Sequence, residues 1–214
     1  MNALLPQNWP ALILAIILTA YWGRVLRLVY KIKRATGQSA NFRPPERTGQ
    51  LLRVIWYPVV VVWIGQAFVT AWVQNPPALM RLLAENQPLS WLAVFVALLA
   101  LLGTLVCWKR MGKSWRMGIN PNETTQLIFS GPYAYVRHPI YALSSLLMIA
   151  TLFILPSPLM LIAGILHLLL LQWEARREEM HLIQHHGQGY VEYCRHVGRF
   201  LPRSLHPYHQ GIPG

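Results

Sequence analysis

Two groups of polar residues stand out in an otherwise apolar chain. The first is Arg137-His138-Pro139-Ile140-Tyr141, preceded by Ser130-Gly131-Pro132-Tyr133. Ser130-Gly131-Pro132 makes a turn, and His138-Pro139 sets a helix start, with the proline near the first position, where its missing donor is harmless. The unpaired amides of such a start can receive a ligand carboxylate. A basic and aromatic anchor at a membrane interface would read the same way. The second group is Glu174-Ala175-Arg176-Arg177-Glu178-Glu179-Met180-His181, running on to His185 and His186. On a helical period Glu174, Arg177, Glu178, His181 and His185 share one face and could line a polar pocket together. A solvated, salt-bridged helix end has the same pattern.

Histidines four apart on a helix, as His181 and His185 are, can chelate zinc. The pattern of a histidine pair with a catalytic glutamate between them is missing, and no metal is expected. Gly187 is placed to stop the helix, and a short amphipathic helix with Tyr190, Tyr193, Arg195 and Arg199 in and after it follows. Gly187 and Gly189 make no dinucleotide fingerprint, since no strand precedes them. Cys107 and Cys194 form neither a disulfide framework nor a zinc spacing and read as free thiols.

The elements that must position these groups are membrane helices. The 214-residue chain is 54% hydrophobic, 12% charged and without aspartate, against about 25% charged in ordinary soluble domains. A bilayer core of about 30 Å takes about 20 apolar residues in a helix. Five runs approach that size, at residues 9–30, 51–73, 89–108, 139–155 and 158–173. The last two are separated only by Pro156 and Ser157, which predicts a tight hairpin, because prolines two positions apart would break one long helix. Arg24 and Arg27 near the end of the first run mark it as interfacial. No positive charge precedes that run and no small-residue cleavage pattern follows it, so it reads as a retained helix.

Five crossings put residues 31–50, 109–138 and everything after Trp173 on one side. Nearly all the basic residues at and between the ends of the runs fall there, from Lys31, Arg43 and Arg53 through Arg116, Arg137 and Arg177 to Arg203, while Arg81 alone falls on the other. The positive-inside rule makes the rich side cytoplasmic and the N-terminus external. The formal charge of +12 is thus spread over membrane-flanking loops, without a nucleic-acid motif.

Arg137-His138-Pro139-Ile140-Tyr141 after Gly131-Pro132-Tyr133, then Glu178-Glu179, Gly187, Tyr190, Tyr193, Arg199 and Pro202, in that order and spacing, resemble the isoprenylcysteine carboxyl methyltransferase family and its phospholipid methyltransferase relatives. The likeness covers about the C-terminal half. It implies an all-α polytopic membrane enzyme of about five transmembrane helices, built as a single membrane domain over residues 1–214. Residues 1–108 would carry three N-terminal helices and their loops. Residues 109–214 would be the catalytic half, with a cytosolic loop, the hairpin at 139–173 and a cytosolic helical tail. The implied donor is S-adenosylmethionine, bound on the cytosolic side of a bacterial or archaeal inner membrane, with a lipophilic acceptor arriving from the bilayer. Cofactor contacts fall on Gly131, Tyr133, His138, Tyr141, Glu178 and Glu179. Leu143 and His186 depart from the family pattern, which often has Gly and Phe there.

An acceptor already ionised, such as a carboxylate, needs alignment about 3 Å from the methyl carbon and little acid or base help. For that case Arg199 or Arg137 is the orienting cation, with Glu179 beside them. An amine or thiol acceptor needs a base instead, and Glu179, His138 and His181 are the candidates. Trp115, Tyr133 and Tyr135 are candidate partners for a sulfonium cation. A nicotinamide-dependent membrane reductase would share a Tyr-x-x-Tyr-Cys-Arg tail. A transporter is the rival of another class, and His167 in the fifth run is the residue it would use.

Overall fold

The structure, a computed structural model, describes residues 5–37, 40–120 and 127–208, and the regular elements among them are helices. Each apolar run folds as one helix, and most start on a proline or a capping side chain. In α1 (Trp9–Thr36) the Asn8 side chain accepts from the Ala11 amide at 2.9 Å, with Pro10 in the first turn. α2 (Arg47–Trp72) runs on through Pro58, and α3 (Gln87–Met111) is capped by Asn86 as α1 is by Asn8. α4 (Pro139–Ile154) and α5 (Pro158–His186) both open on proline. The expected hairpin forms: α4 ends and α5 begins around Pro156 and Ser157, where Ser157 caps α5 and accepts a hydrogen bond from Gln66 of α2. The short helix α6 (Gln188–His196) follows Gly187.

Four helices, α1, α2, α3 and α5, are long and apolar enough to cross a membrane. The run expected to make the fourth of five crossings, α4, has 16 residues. That is about 24 Å of helix, short of a hydrocarbon core of about 30 Å. α5 is the reverse case, with 29 residues, or about 43 Å. Its last three turns, from Glu174 on, therefore project beyond the apolar part that ends near Trp173.

α3 and α4 make the most extensive pairing in the bundle, and α5 packs on both α2 and α4. The close approach of α3 to α4 depends on Gly103, where a Cβ would lie 3.1 Å from Leu143 Cδ1. Leu143, a departure from the family pattern, fits because its neighbour across the interface has no side chain. Inside the bundle, polar side chains pair with one another: the Trp63 indole donates to Thr151 Oγ1 at 2.8 Å, and that of Trp56 to His167 Nδ1 at 3.1 Å. An indole can only donate, so His167 Nδ1 is the acceptor and its Nε2 carries the proton toward Ser144 Oγ, 3.1 Å away. Both ring nitrogens of His167 are occupied by neighbours inside the bundle, as a hydrogen-bonded core histidine requires. The outer surface carries exposed Leu92, Phe95, Leu102, Ile165 and Leu169, as an integral membrane protein facing lipid requires.

Hydrogen bonds between loops define two ends. At one, the Gln7 amide donates to Ala71 and the Leu83 amide to Pro156. At the other, which carries the basic segments, the Met117 amide donates to Ala40 O at 2.8 Å and the Asn41 side chain to Gly118 O at 3.0 Å. The α1–α2 and α3–α4 connections and the projecting part of α5 therefore meet at the basic end.

Candidate functional site

The basic end holds two ion clusters, both nucleated by glutamates of α5. The turn at Ser130-Gly131-Pro132 leads into a short 3-10 helix (Gly131–Ala134), and the chain then runs extended into His138, the N-cap of α4. The C-terminal tail pins this stretch from below: the Arg137 amide donates to Gly198 O at 2.8 Å and the His138 amide to Arg199 O at 3.0 Å. The tail itself turns tightly here: a Cβ on Gly198 would fall 1.9 Å from Leu201 O, so no larger residue fits there. Backbone pairing thus sets Arg137, His138 and Arg199 side by side, facing α5.

Glu179 collects all three. Arg137 Nε donates to its Oε1 at 2.9 Å; Arg199 adds Nε to Oε1 at 3.0 Å and Nη2 to Oε2 at 2.6 Å. His138 Nε2 lies 3.2 Å from Glu179 Oε1 without hydrogen-bond alignment, while its Nδ1 is 3.4 Å from Glu178 Oε2. Arg137 Nη1 is engaged as well, donating to Cys194 O at 3.0 Å and to Val197 O. Burial alone would raise the Glu179 carboxyl, but the neighbouring His138 ring and the hydrogen bonds from Arg199 and Arg137 outweigh it and hold the group well below the usual carboxylate range. For His138, burial works to lower the imidazole, and the two flanking carboxylates more than offset it, so it is held above its ordinary value.

Glu178 points the other way. It lines a cleft with Tyr133, His138, Ile140, Tyr141 and Leu182. Tyr141 donates to Glu178 Oε1 at 2.5 Å and stacks on His138 with ring planes 3° apart. Further along, Leu127, Phe129, Tyr190 and Tyr193 make an apolar and aromatic wall, with Tyr193 donating to Tyr133 O at 2.6 Å. The Tyr133 hydroxyl is buried without a hydrogen-bond partner among the described residues. At the start of α4 the Ala142 amide is the first to find a helical acceptor, His138 O. The amides of Ile140 and Tyr141, both on the cleft wall, precede it in the unpaired first turn.

The structure therefore brings together His138, Tyr141, Glu178, Glu179, Arg137 and Arg199, and sorts them. Tyr133, His138, Tyr141, Glu178 and Arg137 line the cleft, whereas Glu179 and Arg199 stand behind it. Gly131 is exposed at a positive φ of 65° beside the Arg110 side chain, and shapes the loop rather than lining the cleft. His181 lines a separate hollow with Glu178 and Arg116, and His185 is exposed on the same helix. Among the described residues no group of metal-ligating side chains forms.

The second cluster joins Glu174 and Arg177 to Glu46 and Arg53, which the sequence offers little reason to place here. Glu174 Oε2 accepts from Arg177 Nη1 at 2.8 Å, and Arg177 bonds in turn to Glu46 from the α1–α2 connection. Arg53 of α2 lies 3.4 Å from Glu174 Oε1, donates to Met117 O, and stands over the Trp56 ring at 4.8 Å. The one signal in the sequence was Arg53 itself, a cation two positions inside the second apolar run. Counted with the positive-inside residues it looked topogenic, yet its side chain is buried.

Residues 91–184 match the model of the isoprenylcysteine carboxyl methyltransferase (ICMT) family. The match takes in most of α3, the cleft loop, α4 and most of α5, and supports the resemblance drawn from the motifs and, with it, a membrane methyltransferase. No curated protein matches the chain.

Proposed function

We propose that the protein transfers a methyl group from S-adenosylmethionine to the carboxylate of a lipophilic, isoprenylcysteine-like acceptor, at a cleft on the cytoplasmic side. The chain crosses the membrane five times in this reading, with α4 as the short crossing, the N-terminus outside and the C-terminus inside. The cleft fits such a donor. Glu178, with its side chain 23% exposed, retains lone pairs for a ribose hydroxyl or an ammonium group. The first-turn amides of α4 suit a carboxylate, and the wall of Leu127, Phe129 and Tyr190 suits an adenine ring. Trp115 and the Tyr133 ring are electron-rich faces for a sulfonium. Bound there, S-adenosylmethionine supplies an electrophilic methyl: a carboxylate oxygen forms the C–O bond as the S–CH3 bond breaks and its electron pair returns to sulfur, leaving an ester and a neutral thioether.

The observation that carries the choice of acceptor is how the site's candidate bases are already engaged. Arg137 and Arg199 occupy the Glu179 carboxylate, and Glu178 and Glu179 flank the two ring nitrogens of His138. With both groups facing protein partners, the site suits a nucleophile that arrives already ionised. Arg137 and Arg199, the cations first considered for orienting the acceptor, hold Glu179 and lock the tail onto α5.

Calorimetry of the purified protein in detergent, titrated with S-adenosylmethionine and in parallel with NADPH, tests the reading. Binding of the first alone, weakened about tenfold or more by Glu178→Ala, is the expected outcome. Binding of NADPH alone would replace the methyltransferase reading with a reductase.

A further inference from the structure

A cavity inside the bundle lies on the far side of Tyr141 from the cleft. Its walls are the indoles of Trp22, Trp56, Trp108 and Trp115, and Arg53 and Glu174 close its basic end. Trp115 and Tyr141 line both the cavity and the cleft, so a molecule held in one is a single side chain away from the other.

Arg53 is 6% exposed and incompletely paired. Its Nε has no hydrogen-bond partner among the described residues, and neither has Glu174 Oε1. The contact between the two, at 3.4 Å, is longer than every contact that Arg137 and Arg199 make with Glu179. Buried donors are nearly always satisfied, and a guanidinium with an unmet N–H at the head of an apolar chamber is matched by an anion with an apolar body. Gly118 helps to seat it: with φ at 106°, a Cβ there would lie 2.9 Å from Arg53 Nη2.

We propose that Arg53 is the positioning residue for the acceptor, holding its carboxylate through the unmet Nε–H while the apolar part packs among the indoles. The inference rests on the methyl-transfer reading and adds to it the residue that selects a carboxylate. The acceptor then reaches the cleft past Trp115 and Tyr141, and Arg53 touches the substrate without touching the donor.

The test separates this assignment from the reading beneath it. Tryptophan fluorescence of the wild-type protein, without donor, is titrated with an S-prenyl N-acetylcysteine and with its methyl ester. The acid is expected to bind at least about tenfold more tightly than the ester; equal affinities overturn the proposal, whatever the variants do. Arg53→Gln is then expected to erase that preference and to raise the KM for the acid at least about tenfold, with calorimetric affinity for S-adenosylmethionine within about twofold of wild type. Arg53→Lys, which keeps the charge without the fork, is expected to recover part of the preference. An Arg53→Gln protein that binds donor and acid as wild type does sinks the assignment. Failure of the wild type to bind S-adenosylmethionine sinks the methyl-transfer reading instead, and leaves the acid-against-ester comparison to decide on Arg53.

Discussion

Glu179 and Glu174 stand little more than one turn apart on α5, each between two arginines, and they are solved differently. Around Glu179 the cations come from the α4 approach and the tail, and both arginines bond the carboxylate at 3.0 Å or less. Around Glu174 they come from α2 and α5 itself, and the cluster ends with an unmet oxygen on the acid and an unmet nitrogen on Arg53. A cluster whose arginines close on the carboxylate is a clamp. An open one costs stability in the free protein and keeps that interaction for something else.

The largest effect expected follows from opening the closed cluster. Glu179→Ala leaves Arg137 and Arg199 facing each other without a counter-charge, with the Arg137 side chain 7% exposed. Breaking a buried pair in this way is expected to cost about 3–5 kcal/mol, read as a large fall in the midpoint of thermal unfolding in detergent. Because the Glu179 carboxyl is depressed in the folded protein, its contribution is present above its ordinary value of 4.5 and is lost as pH falls below it. His138, raised in the folded protein, contributes in the opposite sense: fully below its ordinary value of 6.5, and less as pH climbs through the raised one. Unfolding midpoints measured from pH 8 down to pH 2.5 are therefore expected to drop below 4.5 in wild type and to flatten there in Glu179→Gln. An unchanged acid limb in that variant would mean that the clamp does not depend on the ionised carboxylate.

This contrast marks where the sequence is informative. Run lengths and prolines located all five apolar helices and the hairpin, because a membrane allows few other ways to satisfy a backbone. Spacing also put Glu174, Arg177, Glu178 and His181 on one side of α5, since helical periodicity is local. Which carboxylate would face the cleft was not legible: adjacent Glu178 and Glu179 are separated by about 100° of helix, and only tertiary packing decides which side Arg137 and Arg199 occupy. The open cluster was less legible still. Arg53, Glu46 and Glu174 are far apart in sequence, no local pattern links them, and the α1–α2 connection reads only as a basic loop.

The next two effects act on the open cluster through its supports. Gly118→Ala forces a side chain into a left-handed conformation and against the Arg53 guanidinium; a loss of about 2 kcal/mol is expected. It should also weaken binding of the acid probe, and a protein destabilised with unchanged acid preference would show that Gly118 serves the loop alone. His167→Leu leaves the Trp56 indole, over which Arg53 stands, without its acceptor. About 1–2 kcal/mol is expected from the unmet donor, with intact donor binding in the distant cleft.

The smallest effect asks whether burial or mere charge pairing separates the clusters. Arg195 and Glu192 on α6 make a 3.0 Å ion pair as short as several in the Glu179 cluster, but their side chains are 69% and 48% exposed. Water screens such a pair and side-chain entropy opposes it, so Arg195→Ala is expected to cost no more than about 0.5 kcal/mol. α6 also packs Tyr190 and Tyr193 into the cleft wall, so a strong effect there would mean that the ion pair fixes the helix and, through it, the cleft. A negligible effect on unfolding and on donor affinity would assign the anchoring of α6 to its buried tyrosines and to the tail strapped beneath α4, with distance between charges a poor guide to what holds the site together.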